Sequence, residues 1–134
     1  MGLIEAAQWL HLGESDMRAS RVLMSGELWS QSCFFAPQAG EKALKALLLA
    51  HGLQFPRTHD LVALVDLVQG ADPSFPPFVV ECASLNAYAV TSRYEPESAW
   101  AIDGEEAAAA VVYAQAILDH CADDVRGVGG SRPR

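Results

Sequence analysis

The side chains with chemistry to offer concentrate in one stretch of this chain. Lys42 and Lys45, its only lysines, stand one helical turn apart within Gln38-Ala39-Gly40-Glu41-Lys42-Ala43-Leu44-Lys45-Ala46-Leu47-Leu48. Gln38, Lys42 and Lys45 follow i, i+4, i+7 and so share one face of a helix. Glu41 and Lys45 form an i, i+4 pair in the favourable acid-first order, worth about 0.2–0.5 kcal/mol. Taken alone, the strip reads as a solvated face that keeps an otherwise apolar helix soluble. Taken with Arg57, His59 and Arg93, it is a candidate groove for phosphate or for an acidic protein surface. Lysines supply point charges there, and arginines grip phosphate oxygens in bidentate fashion.

The other reactive groups make weaker patterns. Among the histidines, only His59 belongs to this part of the chain; it reads first as a hydrogen-bonding residue at a helix junction and second as a proton carrier. His51 ends a helix beside Gly52, and His11 and His120 lie on outer helices. Cys33, Cys82 and Cys121 are odd in number and widely separated, with no C-x-x-C pair, so they read as buried free thiols. There is no glycine-rich phosphate loop, no H-E-x-x-H and no calcium-loop pattern. No metal and no cofactor are expected.

These residues must be carried by helices, because no run of alternating apolar residues argues for a sheet. The pattern predicts five helices. The first covers about Leu3 to Ser25. It repeats Leu3, Leu10, Met17 and Met24 every seven residues beside a ridge of Ala6, Gly13 and Ser20, a seam suited to close internal packing. The second runs from about Ser30 to His51, with a kink or restart expected at Pro37. The third is expected to be capped by Thr58, with His59 and Asp60 in its first turn, and to end near Val68. The fourth is expected to start at Pro76-Pro77 and end near Val90, with Phe78, Cys82, Leu85 and Ala89 facing inward. Thr91 to Ile102 reads as irregular. Asp103 and Glu106 resemble a capping box for a last helix to about Val125, burying Ala107, Ala110, Val111, Ala114, Leu118 and Cys121. One helical domain over 3–125 and a disordered Gly/Arg tail over 126–134 follow.

Charge narrows the class of partner. The 134 residues carry a formal net charge of −8, but three of the nine cations lie in the tail, so residues 1–125 hold six cations against 17 acids. From Tyr94 to Val125 there are eight acids and no Lys or Arg. Such a surface repels a phosphate backbone, so nonspecific nucleic-acid binding is not expected. No segment approaches the roughly 20 apolar residues of a membrane span, and nothing reads as a targeting signal. The expectation is a cytoplasmic protein that does not engage a membrane.

Trp9-Leu10 with Asp16, Leu28-Trp29, the Gln38–Leu48 run, Thr58-His59-Asp60-Leu61 and Thr91-Ser92-Arg93-Tyr94 together carry a resemblance. In type and order, over roughly residues 5–120, they resemble the HEPN family. The resemblance implies an all-α, four-to-five-helix up-and-down bundle, commonly a homodimer and often the partner of a small nucleotidyltransferase, as in toxin–antitoxin-like pairs. Many members are metal-independent ribonucleases with an Arg-x4–6-His motif. In that chemistry the histidine moves a proton and the arginine stabilises charge on the phosphate. The matching arginine here is Arg93, but positions 98 to 100 hold Ser98, Ala99 and Trp100, none of which transfers a proton near neutral pH. The reading is therefore a noncatalytic module in which Gln38, Glu41, Lys42, Lys45, Arg57, His59 and Arg93 bind a nucleotide or the partner. The alternative is a ribonuclease in which Arg93 works with His59 or Tyr94.

Overall fold

The computed structural model describes residues 2–94 and 101–129, with side chains at 2–88 and 101–128. It contains α1 (Gly2–Ser25), α2 (Trp29–Ala50), α3 (Leu61–Ala71), α4 (Val79–Tyr94) and α5 (Gly104–Gly129). No strand occurs among the described residues.

The first two helices form an antiparallel hairpin around Gly26-Glu27-Leu28. Glu27 takes φ 61°, and the Leu28 N–H returns to the Leu23 carbonyl at 2.9 Å. The predicted seam is what α1 buries: Ala6, Leu10, Gly13, Met17 and Ser20 all face inward, whereas Leu3 stays exposed. Small residues set the spacing. A Cβ at Gly13 would come within 3.1 Å of the Ala39 carbonyl oxygen. Further along, Ser20 and Ser32 are both fully buried and bond reciprocally, each hydroxyl donating to the other's carbonyl at 2.8 Å.

The central helix is α2, with neighbours on most of its circumference; Ala39, Ala43, Leu44, Ala46, Leu47 and Leu48 are fully buried. It passes through Pro37 without interruption, so no restart occurs there. Its end is a left-handed Gly52 at φ 78°. The last helix runs parallel to α2, since Gly104 lies against the Trp29 ring and Gly40 against Ile117. It runs antiparallel to α1, with Arg21 bonded to Gln115. The fourth helix packs antiparallel to α5, Phe78 meeting His120 at one end and Tyr88 reaching Glu106 at the other.

Five boundaries differ from expectation, one of them the end of α3, which runs on past Val68 to Ala71. The cap of α3 is Asp60, not Thr58: its carboxylate accepts from the Val62 and Ala63 N–H groups, and His59 precedes the helix. A carboxylate suits those orphan donors. Pro76-Pro77 precede α4, because Phe78 adopts φ 45° and only its carbonyl accepts the first helical bond, from Cys82 at 2.8 Å. The Phe78 ring instead joins Phe75 and His120 in an edge-to-face cluster. At its other end α4 continues through Tyr94, so Arg93 belongs to a helix and not to an irregular segment. The last helix begins as expected, with Asp103 accepting from the Glu106 N–H at 2.9 Å, and continues past Val125 to Gly129. Positions 98–100 and residues 130–134 lie outside the described residues.

Candidate functional site

The lysines are not a solvated strip. Lys45 is only 6% exposed, its stem enclosed and its ammonium 5.8 Å from the centre of the Trp9 ring and 5.0 Å from that of Phe55. Aromatic faces attract a cation at this range, but a buried charge also needs a counter-ion. Glu41, one turn earlier, supplies it at 3.0 Å. The second Glu41 oxygen meets His59 Nδ1 at 2.9 Å, which ties the loop before α3 to the face of α2. Lys42 pairs with Asp16 of α1. Gln38 donates to the Phe34 carbonyl one turn back.

These side chains border one cleft of about 260 Å³ between α1 and α2. Trp9, Phe34 and Pro37 form its apolar wall, and Gln38, Glu41, Lys42, Lys45 and His59 its polar side. Formal charge inside balances: two ammonium groups face Glu41 and Asp16. His59 projects outward, its side chain 77% exposed, so its Nε2 is accessible from solvent.

Of the residues expected to form a site, the structure therefore gathers Gln38, Glu41, Lys42, Lys45 and His59. Arg57 is exposed and does not line the cleft; from that connector it is Phe55 that reaches Lys45. Arg93 lies on α4 two turns beyond Asn86, which bonds both the Leu61 N–H and the Asp60 carboxylate. The side chains of Arg93 and Tyr94 lie outside the described residues. Sequence reasoning did not assign to the site Asp16, the cleft's aromatic residues Trp9 and Phe34, or Phe55 beside Lys45. Asp16 carried a signal, being an acid beside the buried α1 seam, next to Met17.

Other nucleophiles are disarmed by the core. Burial pushes the Cys33 and Cys82 thiols up to about 12 and raises Cys121 well above its ordinary value. Burial, with Cys33 and Glu106 nearby, likewise lifts the Tyr88 phenol to about 12. Among the described residues, no group of three or more His, Cys, Asp or Glu could hold a metal ion. No helix among them is long and apolar enough to cross a membrane.

The family model of the HEPN domain matches residues 6–124. The chain belongs to the HEPN family. Its bundle is similar to the crystal structure of TT1696 from Thermus thermophilus, with a TM-score of 0.78 and 28% identity over 89% of this chain and 97% of that one. It shares its fold with ST0689, an archaeal HEPN homologue, at a TM-score of 0.75 and 23% identity, covering 90% and 97% of the two chains. No curated protein matches the sequence. In this HEPN domain the cleft lies within the matched region, on the helix that carries the Gln38–Leu48 run.

Proposed function

We propose that this HEPN domain is a noncatalytic binding module, acting as a homodimer beside a nucleotidyltransferase-type partner in a two-component, toxin–antitoxin-like system. The cleft between α1 and α2 is its recognition site. The observation that carries this reading is the convergence of Trp9 and Phe34 with Gln38, Glu41, Lys42, Lys45 and His59 on one opening. Its volume falls just below the roughly 300–1,000 Å³ of small-molecule sites. It suits one ring system, such as a nucleobase, or a side chain of the partner, more than a whole nucleotide. Stacking on the aromatic wall is worth about 1–3 kcal/mol per base, and Gln38, with one N–H held by the Phe34 carbonyl, still offers a donor and an acceptor. Because Lys42 and Lys45 are already paired, a phosphate gains less here than the two lysines alone promise. Ser98, Ala99 and Trp100 in place of the motif histidine argue for binding over cleavage.

The test is titration with mononucleotides and pull-down with a co-expressed nucleotidyltransferase. Trp9→Ala and the pair Gln38→Ala, Lys42→Ala should each weaken binding about tenfold or more. The helical circular-dichroism signal should survive both. Unchanged affinity in both variants would refute the reading.

One observation favours a second reading. Glu41 and His59 form a carboxylate–imidazole pair whose Nε2 faces solvent. Such a pair can transfer a proton, because the carboxylate fixes the tautomer and orientation of the ring. The rival function is thus metal-independent RNA cleavage, with Arg93 stabilising charge on the phosphate and His59, or Tyr94 in its place, as the proton carrier. EDTA-treated protein would then cleave a mixed RNA pool, and both His59→Ala and Arg93→Ala would abolish cleavage. Intact RNA with the wild-type protein eliminates this alternative.

A further inference from the structure

A second opening lies between α1 and α5, and the HEPN motif residues take no part in it. It measures about 480 Å³, inside the usual range for small-molecule sites. Its floor is the outer surface of the core: Met17, Leu118 and Ala122, all nearly buried. Three of the chain's seven arginines line it, Arg18 and Arg21 from α1 and Arg126 from α5.

How those guanidinium groups are held matters more than their number. Arg21 directs both Nε and Nη2 at a single neutral acceptor, the Gln115 amide oxygen, at 3.0 and 2.7 Å. Gln115 in turn donates to Asp119 at 2.7 Å. The amide thus orients the guanidinium while keeping the Asp119 carboxylate out of direct contact, so the positive charge is positioned without being paired. Arg18 lies one turn earlier on the same helix and has no ion pair or hydrogen bond among the described residues. Arg126 meets Asp123 only at 3.4 Å, with both side chains more than half exposed, a contact of little strength.

We infer that this groove binds a small molecule with a compact dianionic head group, a phosphate monoester or a dicarboxylate, on an apolar body. Arg18 and Arg21 grip the head group in bidentate fashion, the dianion replacing the Gln115 amide as acceptor. The apolar body covers Leu118 and Ala122. Glu14, Asp119 and Asp123 on the same walls limit the site to one compact anion and turn away an extended polyanion.

The experiment is NMR titration of the full chain with phenyl phosphate, inorganic phosphate and phthalate. Expected are saturable shifts at the Gln115 side-chain amide and at Arg21 Nε, with a Kd of about 1 mM or tighter for the best probe. Phenyl phosphate should bind more tightly than inorganic phosphate, because only it covers the floor. Preference for phenyl phosphate over phthalate identifies a phosphate ester, and the reverse a dicarboxylate. Arg18→Gln with Arg21→Gln should weaken binding about tenfold or more, whereas Glu14→Gln should tighten it. No saturable shift for any probe up to about 10 mM, or shifts confined to another surface, would overturn the inference. So would wild-type affinity in the double arginine variant.

Discussion

Lys45 shows how one side chain can be misjudged from its neighbours in sequence. A lysine between alanines and leucines on a helix reads as a solvating charge, yet here it is buried between Trp9, Phe55 and the aliphatic face of α2. Breaking one partner of a buried pair costs about 3–5 kcal/mol, because the other charge is left uncompensated. Replacing both partners with apolar groups of similar size is often neutral. Lys45→Ala should therefore lower the urea unfolding free energy by about 3 kcal/mol, and Lys45→Met with Glu41→Leu by clearly less. Lys42→Ala, at a part-buried pair less enclosed than Lys45–Glu41, should cost less, about 1–2 kcal/mol. Equal losses for Lys42→Ala and Lys45→Ala would mean that the two pairs are equally solvated, contrary to the structure. The same burial makes Lys45→Ala a poor probe of binding, since it perturbs folding as well.

At the scale of elements, the contact between α1 and α2 depends on small residues and on the paired serines. Ala at Gly13 gains helix propensity of up to about 1 kcal/mol. Its Cβ would nevertheless stand 3.1 Å from the Ala39 carbonyl oxygen, a backbone atom that cannot swing away. Overpacking of this kind costs about 1–3 kcal/mol, so Gly13→Ala should be neutral to destabilising. Gly70, inside α3, has nothing within 4 Å of an added Cβ, and Gly70→Ala should stabilise by about 0.5 kcal/mol or more. Thermal melting of the two variants reads the contrast directly; a higher Tm for Gly13→Ala than for Gly70→Ala would show that α1 can retreat. The helices themselves were legible from period and punctuation. The entry to α4 was not, because a left-handed Phe78 is settled by the Phe75–His120 cluster and has no local sequence signature. Nor was the choice of Asp60 over Thr58 as cap. Both residues can cap a helix, and it is Asn86 on α4 that bonds Asp60 and helps fix which one does.

For the whole molecule, three buried thiols set a limit at high pH. Cys33 and Cys82 hold their protons up to about 12, against 9.0 for an ordinary cysteine, because burial disfavours the thiolate. Above pH 9 the unfolded chain therefore releases protons that the folded chain keeps, and stability falls as pH rises through that window. Urea midpoints should be nearly unaffected by these groups below pH 8 and should decline from pH 9 towards 11, less steeply in Cys33→Ala. A disulfide reagent at pH 8 should find all three thiols unreactive in the folded protein and reactive in guanidinium; ready modification of the native state would contradict the burial. The molecule as a whole is acidic, and α1 borders both openings: the charge-balanced cleft on its α2 side and the arginine-lined groove on its α5 side.

What the sequence determined by itself was periodic or compositional: an all-helical chain, the seam of α1, the inward face of α5, three buried cysteines and the acid-first Glu41–Lys45 pair. Each depends on residues within a few turns of one another, where helix geometry fixes who is neighbour to whom. The tertiary structure alone decided which charges meet across helices. Asp16 and Lys42 are separated by 26 residues and Arg21 and Gln115 by 94, and their pairing follows from how α1 lies against α2 and α5. It also set Phe55 and not Arg57 against Lys45, because an aromatic ring gains by leaving water for an apolar helix face whereas a guanidinium with no buried partner stays hydrated at the surface.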